Sequence, residues 1–591
     1  MTTFERDAKT LELPWPFTGR DDELELIRGS LAAGRHGIVV TGSAGCGKTR
    51  LVAEAVRGTD CVKVAGTPEA RAIPFAAFSH LLPETVTLHR AVQLLSGVRL
   101  LLVDDAHLLD DASAALVHQL ALHGRTRLLV VATDGHPAPG AVSRLWTGEL
   151  LPRLCLDPLP REETAQLLTA GTGGSLEQLT VNRLHRLCGG DLRLLRDLAG
   201  AVRERGLLTR VQDADAWAWR GPLPVTATVR ERTAQVLDRV CPEERETLER
   251  LAFGEPLPVD MDSFDLRVLE RLEADGLIRI DDRGAVRLVH PLHGPVLRAA
   301  ASRLRARRLA RTPDQCDAAL DAETGELARS VEQADVRDVP APVGEWLLDE
   351  GVPMPAAHAA VRARVARLRG RLREAAAWAR EGLRTAGDDP ACGRELALAA
   401  AQSGDTVCIG AGGWQAAARG DIDAALDAVE PYDAVRLGVP ERAVGRVDGV
   451  FAQHADALAR GDGPALDRVA EALQGRGLLL FAAEAHAQAV RAHRDPRAAR
   501  TSRTRAVALA RRCQGARTPA LSGLVLGELT ARQRQIVTLA AAGLSNRQIA
   551  ERLTLSIRTV GNHLYSAYTR LGASDRGALP WLVELPDAQP A

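Results

Sequence analysis

The stretch Gly42-Ser43-Ala44-Gly45-Cys46-Gly47-Lys48-Thr49 decides how the N-terminal part of this chain folds. It follows an apolar run, Gly37-Ile38-Val39-Val40, and precedes the helix-like Arg50-Leu51-Val52-Ala53-Glu54-Ala55-Val56. Strand, glycine-rich turn and helix, in that order, are the setting of a phosphate-binding P-loop. Glycine at 42, 45 and 47 lets backbone N–H groups curl around an anion without interference from Cβ atoms. The helix N-terminus adds partial positive charge at the same point. Lys48 is placed to reach the β- and γ-phosphates of ATP or ADP, and the Thr49 hydroxyl to ligate Mg²⁺. Cys46 and Arg50 lie within the same turn and count with it as nucleotide contacts. Of the 75 Lys+Arg in the chain, only Lys9, Lys48 and Lys63 are lysines. A compact ammonium suits a phosphate here better than a planar guanidinium, so an arginine-rich chain that keeps lysine at 48 points to a nucleotide.

Working outward, the second half of such a site is Arg99-Leu100-Leu101-Leu102-Val103-Asp104-Asp105-Ala106-His107-Leu108-Leu109-Asp110. A buried apolar strand ending in acid delivers Asp104 to the carboxyl edge of a parallel sheet, where such folds bind ligands. Asp104 would hold the Mg²⁺ hydration shell, and Asp105 is the candidate catalytic residue, orienting a water. As a purely structural alternative, Asp105 or Asp110 caps the following helix. Cys61–Ala65 and Arg127–Thr133 read as further strands, and strands alternating with helices predict a parallel sheet covered on both faces.

The length of 591 residues predicts several domains. Aromatics make up only 3% and net charge is −1, so packed helices dominate and any nucleic-acid contact must be a local patch. Nine scattered cysteines with no C-x-x-C pair give neither a disulfide framework nor a zinc site. The chain has no apolar run of membrane-spanning length and no signal-peptide pattern at its start, so a cytoplasmic protein with no membrane partner is expected.

The composition divides the chain as follows: an arm over 1–16, the P-loop domain over 17–155, a helical lid and linker over 156–225, and a winged helix over 226–300. Helical repeats follow over 301–515, and a last helical domain over 524–585. Trp217-Ala218-Trp219 marks the linker, with two indoles on one strand face. The winged helix rests on three helices and a hairpin, Gly276–Ile280 and Ala285–Val289, closing on His290-Pro291-Leu292. His290 is either structural or a contact that senses the nucleotide. Helix starts at Gly370, Gly420 and Gly461 recur irregularly, as in helical-hairpin repeats of the tetratricopeptide sort. Gly410-Ala411-Gly412-Gly413 lacks the strand, lysine and hydroxyl of a phosphate loop and reads as a turn. Arg503, Arg505, Arg511, Arg512 and Arg517 form a basic run, either a solvated face or a supporting phosphate contact.

At the C-terminal end, Thr530-Ala531-Arg532-Gln533 and Ser545-Asn546-Arg547-Gln548 are two capping boxes. The first opens a helix with Ile536, Val537, Leu539 and Ala540 inward; the second opens one with Ile549, Ala550 and Leu553 inward. Ser556 caps a third helix whose Ile557, Val560 and Leu564 fit a buried face. Two short helices joined by a tight turn form a helix-turn-helix whose third segment would present polar groups to a major groove; the alternative is a small three- or four-helix bundle for protein contacts. Arg547, Ser556, Arg558, Thr559, Asn562, His563 and Tyr565 are the candidate DNA contacts.

Residues 529–579 closely resemble the LuxR-type DNA-binding domain, on the line Leu529–Ile536 and Leu544–Ala550. The resemblance implies a four-helix domain that dimerises through its last helix. Gly561 stands where that family usually carries lysine, and glycine costs a helix about 1 kcal/mol relative to alanine. Phe17-Thr18-Gly19-Arg20-Asp21-Asp22-Glu23-Leu24, placed ahead of the P-loop, resembles the entry motif of STAND-class ATPases, which implies that Arg20 lies near the nucleotide. Two departures fall inside that likeness. Asp134 directly follows Thr133 where the family places a sensor arginine, and Gly189-Gly190-Asp191-Leu192 replaces Gly-Gly-Asn-Pro-Leu.

Together the ends resemble the large ATP-binding LuxR regulators: multidomain, mainly α with one α/β domain. That likeness implies a bacterial transcription activator gated by ATP or ADP, working as a homodimer or larger oligomer with double-stranded DNA and RNA polymerase. A small-molecule or protein inducer would engage the helical repeats. The two departures predict nucleotide binding with slow or absent turnover. The rival readings are a genuine NTPase that uses the helix-turn-helix as an address, and a regulator with a purely structural nucleotide.

Overall fold

The computed structural model describes residues 15–32, 36–211, 215–259, 264–281, 284–337, 342–406 and 410–522. Within the C-terminal segment it describes 524, 533, 536–537, 539–540, 544–553, 557, 560–561, 563–565 and 567. The chain divides into two compact units, Met1–Ala310 and Arg311–Ala591.

The first unit opens with α1 (Asp21–Ala32), β1 (Gly37–Gly42), α2 (Lys48–Ala55) and β2 (Val62–Ala65). It continues through α3 (Leu88–Leu95), β3 (Leu100–Asp104), α4 (Asp111–His123), β4 (Arg127–Thr133), α5 (Gly140–Thr147) and β5 (Arg153–Leu156). The five strands form one sheet in the order β2-β3-β4-β1-β5, every neighbour parallel. Side chains alternate across a strand, so Val39, Leu101, Val103, Leu128 and Val130 pack against α3, α4 and α5. Ile38, Val40, Leu100, Leu102, Leu129 and Val131 face α1 and α2. Leu101, Leu128 and Leu129 are fully buried, each stabilising the sheet by about 2 kcal/mol. Burial on both faces explains why these strands read as continuous apolar runs.

One strand departs from the sequence reading, which ends the α/β layer at β4 and begins the lid at Leu156. β5 pairs with β1, Val39 opposite Arg153 and Gly42 opposite Leu156. It is four residues long, and only its last residue is buried, so it carries no apolar run to signal it.

The lid follows as α6 (Arg161–Thr172), α7 (Gln178–Cys188) and α8 (Leu192–Glu204), then two paired short strands, β6 (Leu208–Arg210) and β7 (Trp217–Trp219). The two indoles of β7 reach different depths. Trp219 is buried beneath the Arg183 guanidinium, 3.5 Å from the ring centroid, and Trp217 stays exposed. Next come α9 (Ala227–Leu237), α10 (Pro242–Gly254), β8 (Leu257–Pro258), α11 (Leu266–Ala274), β9 (Ile278–Ile280) and β10 (Ala285–Leu288). β10 pairs antiparallel with both β9 and β8. α12 (His293–Ala300) and α13 (Arg303–Leu309) pack on α10, which carries this compact unit past residue 300 to Ala310.

The second unit begins with twelve described helices between Pro313 and Arg511, and most consecutive helices pack on one another. Helices start at Leu372, Ile422 and Gly463, beside the three recurring glycines. Asp421 and Asp462 cap two of them by accepting the backbone N–H of Ala424 and Ala465. Gly410 and Gly412 have φ of 95° and 56°, the left-handed turn that only glycine adopts without strain. Within the basic run, Arg505 is paired to Glu471 at 2.7 Å.

The scarce aromatics gather around a buried charge in this unit. Arg436 donates to both carboxylate oxygens of Glu484, at 2.6 and 3.0 Å, and to Asp433 at 2.8 Å. Its guanidinium lies 4.4 Å from the Trp414 ring and 4.3 Å from that of Phe481. The Trp414 indole N–H donates to Asp433 at 2.8 Å. His454 sits between the Tyr432 hydroxyl at 3.0 Å and Gln488 Oε1 at 2.7 Å.

Two predictions follow from this core. Glu484→Gln leaves the buried guanidinium undercompensated and should lower stability by about 3 kcal/mol, read from urea unfolding of the full chain. Burial also pushes the His454 imidazole down to about 4 and, elsewhere in the unit beside Thr324 and Trp378, that of His358 to about 3. The unfolded chain then binds protons that the native state refuses, so stability is retained above pH 6.5 and falls as pH drops below it. His454 alone should remove about 2 kcal/mol between pH 7.5 and 5, with His358 adding in the same direction. His454→Gln should flatten the slope in urea titrations across that range.

Candidate functional site

The loop between β1 and α2 is shaped by its glycines. Gly45 and Gly47 hold φ of 77° and 96°, and Gly47 takes the position before the first residue of α2 in a left-handed conformation. A Cβ on Gly42 would stand 2.6 Å from the Leu156 carbonyl oxygen and 3.0 Å from Cys46 Sγ. Lys48 is buried, and its ammonium donates to the carbonyls of Gly42 at 2.9 Å and Ser43 at 2.7 Å. Thr49 Oγ1 donates to Asp104 Oδ1 at 3.2 Å, which brings the two candidate Mg²⁺ ligands together across α2 and β3. Burial first, and then the charge of Asp105, raise the Asp104 carboxyl above its ordinary value. A bound cation would oppose both effects. These features fit a magnesium nucleotide: Lys48 and the loop N–H groups would hold phosphate, and Thr49 and Asp104 the metal. A groove of about 470 Å³ runs from Thr49 and Asp104 along β2, past Lys63 and His80.

Asp105 takes φ 45° and ψ 44°, and its backbone N–H donates to Asp104 Oδ1 at 3.0 Å. Asp110 caps α4, accepting the Ser113 N–H at 2.8 Å. His107 is buried, accepts the Thr133 N–H through Nδ1 at 3.4 Å, and is held below its ordinary pKa chiefly by burial.

Arg20 is buried at the start of α1, paired to Glu23 at 2.8 Å and bonded to the Asp157 carbonyl just beyond β5. That places it at the sheet edge where Leu156 meets Gly42. Arg50 bonds the Trp15 carbonyl and so ties α2 to the segment ahead of α1. His290 is exposed; its Nδ1 accepts the Leu292 N–H at 3.2 Å and its ring lies 5.1 Å from that of His293. Among the described residues, none of these His290 contacts reaches the loop.

Three residues that sequence reasoning did not place at the site stand beside it. Arg153 of β5 donates to Thr41 Oγ1 at 2.8 Å and to Asp134 at 2.9 Å, so an arginine reaches the strand edge where Asp134 follows β4. Asp191 lies on Gly45: a Cβ there would fall 2.1 Å from its Oδ1. The Leu192 N–H donates to the Gly45 carbonyl at 3.0 Å. Asp191 caps α8 through the N–H groups of Arg193 and Leu194 and is also paired to Arg232 of α9. Asp191 falls within a motif the sequence already singles out; Arg153 and Arg232 arrive through tertiary contacts and give no local signal.

In the C-terminal segment, α26 (Asn546–Leu553) is opened by a reciprocal cap. The Gln548 N–H donates to Ser545 Oγ at 3.4 Å, and the Ser545 N–H to Gln548 Oε1 at 2.8 Å. Ile536, Val537, Ala540, Ile549, Ala550, Val560, Leu564 and Ala567 form one buried cluster, with Leu539 and Leu553 against it. Ile557 departs from its expected place: it is 55% exposed, while Val560 and Leu564 are buried. Ile557 shares the helical face of Leu564, seven residues on, yet it stays exposed. Arg547 and Tyr565 are exposed and His563 is half-buried. Ser556, Arg558, Thr559 and Asn562 lie outside the described residues, as do Thr530–Arg532 of the first capping box and residues 1–14 of the arm.

Residues 527–580 match the family model of bacterial regulatory proteins, luxR family. This segment is similar to the luxR family. The chain is 44% identical over 71 residues to the putative HTH-type transcriptional regulator Rv0890c of Mycobacterium tuberculosis, covering 12% of this chain and 8% of that protein. The chain is also 49% identical over 51 residues to the putative HTH-type transcriptional regulator YhjB of Escherichia coli, covering 9% of this chain and 26% of the relative. The match therefore spans well under half the length of either relative. Among solved structures, the Pyrococcus horikoshii STAND protein with a tetratricopeptide repeat sensor aligns over 95% of this chain and 78% of its own. Its TM-score is 0.25 at 16% identity. The Thermotoga maritima RuvB branch migration motor aligns over 49% and 94%, with a TM-score of 0.26 at 15% identity. The P-loop fold assignment here rests on the strand order and loop geometry, and the luxR assignment on the family model.

Gly45→Ala tests the loop–lid contact. It should destabilise the full chain by at least about 1 kcal/mol more than Gly58→Ala. Both glycines hold a left-handed φ, but a Cβ on Gly58 meets nothing within 4 Å. Equal unfolding midpoints for the two variants would show that Asp191 yields freely.

Proposed function

We propose that this protein is a DNA-binding transcription regulator whose LuxR-type segment is gated by ATP or ADP with Mg²⁺ at the N-terminal P-loop. The observation that carries the reading is the union, in one chain, of the Lys48 and Thr49–Asp104 constellation with a luxR-family segment. In this reading Lys48, Gly42, Gly45, Cys46, Gly47 and Arg50 form the phosphate cradle, and Thr49 and Asp104 hold the metal. Asp105 orients a water and Arg20 supports the edge. Bound magnesium supplies charge neutralisation at the phosphates; the chain's own groups orient and shield them. The Arg153–Asp134 ion pair stands where a bare sensor arginine would speed hydrolysis, which supports slow turnover and a switch rather than a motor. Arg547, Ser556, Arg558, Thr559, Asn562, His563 and Tyr565 contact DNA as a cytoplasmic homodimer or larger oligomer. The helical repeats receive the inducer, and the assembled form engages RNA polymerase as an activator.

The test is binding of wild type and Lys48→Ala to a promoter pool with ATP, ADP or no nucleotide, after circular dichroism confirms that both fold. The reading predicts that ATP strengthens wild-type binding at least about tenfold over ADP, or 1.4 kcal/mol of coupling, and that Lys48→Ala abolishes the response. Binding that is equal in every condition contradicts it.

A further inference from the structure

A phosphate cradle gathers backbone N–H groups to attract negative charge, yet this one carries a carboxylate against its central glycine. Asp191 Oδ1 accepts the N–H groups of Arg193 at 2.9 Å and Leu194 at 3.2 Å while lying on Gly45. Its Oδ2 accepts from Arg232 Nη2. The Arg232 guanidinium is therefore one carboxylate's width from the loop, and its side chain is 42% exposed. A guanidinium so placed chooses between Asp191 and any phosphate brought to the same glycines, and phosphate offers the greater charge for bidentate bonding.

We propose that Arg232 is a phosphate-binding residue of the nucleotide site, held beside the loop by Asp191 and transferred to phosphate when a nucleotide binds. This rests on the nucleotide-site reading above and adds to it a residue from outside the P-loop domain and lid. The consequence reaches further along the chain, because Arg232 belongs to α9. That helix is tied to α8 a second time, through Thr226 Oγ1, which donates to Asp197 at 2.6 Å. Val229 of α9 and Leu292, next to α12, are buried in the same core cluster as Leu194, Leu195 and Leu198 of α8. Moving the guanidinium from Asp191 to phosphate loosens one of the two polar ties while the other holds, so α9 turns about its N-terminus. Phosphate occupancy is thereby read by the helix that opens the winged-helix region.

The experiment measures affinity of the full chain for a fluorescent mant-ADP with magnesium, in wild type, Lys48→Ala, Arg232→Gln, Arg232→Lys and Asp191→Asn. Asparagine caps a helix as well as aspartate does, so Asp191→Asn removes the competing charge and keeps α8. Arg232→Gln should weaken binding about tenfold, and Arg232→Lys should recover part of the loss. Asp191→Asn should tighten binding several-fold, and the double variant should bind like Arg232→Gln. As a second readout, ADP should change the rate of limited proteolysis between α8 and α9 in wild type but not in Arg232→Gln. Arg232→Gln within twofold of wild type, or Asp191→Asn binding more weakly, overturns the proposal even where Lys48→Ala abolishes binding. Wild type that fails to bind mant-ADP, or Lys48→Ala that binds it normally, overturns the nucleotide-site reading itself.

Discussion

The close approach of the lid to the glycine loop is the contact around which the N-terminal unit is arranged. The Leu192 N–H meets the Gly45 carbonyl at 3.0 Å, and Asp191 fills the space a side chain at 45 would need. A residue with a Cβ could not hold the left-handed backbone of Gly45 without strain, nor admit the carboxylate. From that contact the rest can be traced. β1 lies between β4 and β5, so its loop emerges at the carboxyl edge beside Asp104 and Asp134. The carboxylate that touches the loop also caps α8 and pairs with α9. One backbone position thus joins the phosphate-binding turn, the lid and the winged-helix region.

The electrostatics of this edge are balanced in pairs. Lys48 is satisfied by two carbonyls of its own loop, Arg153 by Asp134, Arg232 by Asp191 and Arg20 by Glu23. Each cation already has a partner that a phosphate could replace, so a nucleotide bound there would exchange partners rather than fill bare charge. An exchange of this kind suits a switch, because binding energy is spent on rearranging ion pairs that belong to different elements. The second unit uses charge differently. There Arg436 and Glu484 are both buried, and the guanidinium lies against the Trp414 and Phe481 rings.

Much of this architecture is legible in the sequence because its signals are local. The run Leu100–Asp104 reads as a strand since both faces are buried, and β4 spans Arg127–Thr133 as its apolar pattern predicts. The capping box at Ser545 and the inward stripe of Ile549 and Ala550 are set within a few residues of each other. What the sequence conceals is set by distant partners. β5 is a short edge strand recognised only by its pairing with β1. Asp191 looks like a lost proline motif until Gly45 is seen beneath it. Arg232 is one arginine among many until Asp191 holds it. Ile557 has an apolar side chain at a spacing that suggests burial, yet it is exposed.

If nucleotide and DNA bind to one coupled system, each must alter the affinity of the other by the same factor. The most direct measurement is therefore the affinity of the full chain for ATP with and without saturating operator DNA, at fixed salt because phosphate contacts are strongly salt-dependent. The account predicts that operator DNA tightens ATP binding by the factor with which ATP tightens DNA binding, and leaves ADP binding unchanged or weaker. An ATP affinity identical in the presence and absence of operator would contradict it and leave the P-loop and the LuxR-type segment energetically independent.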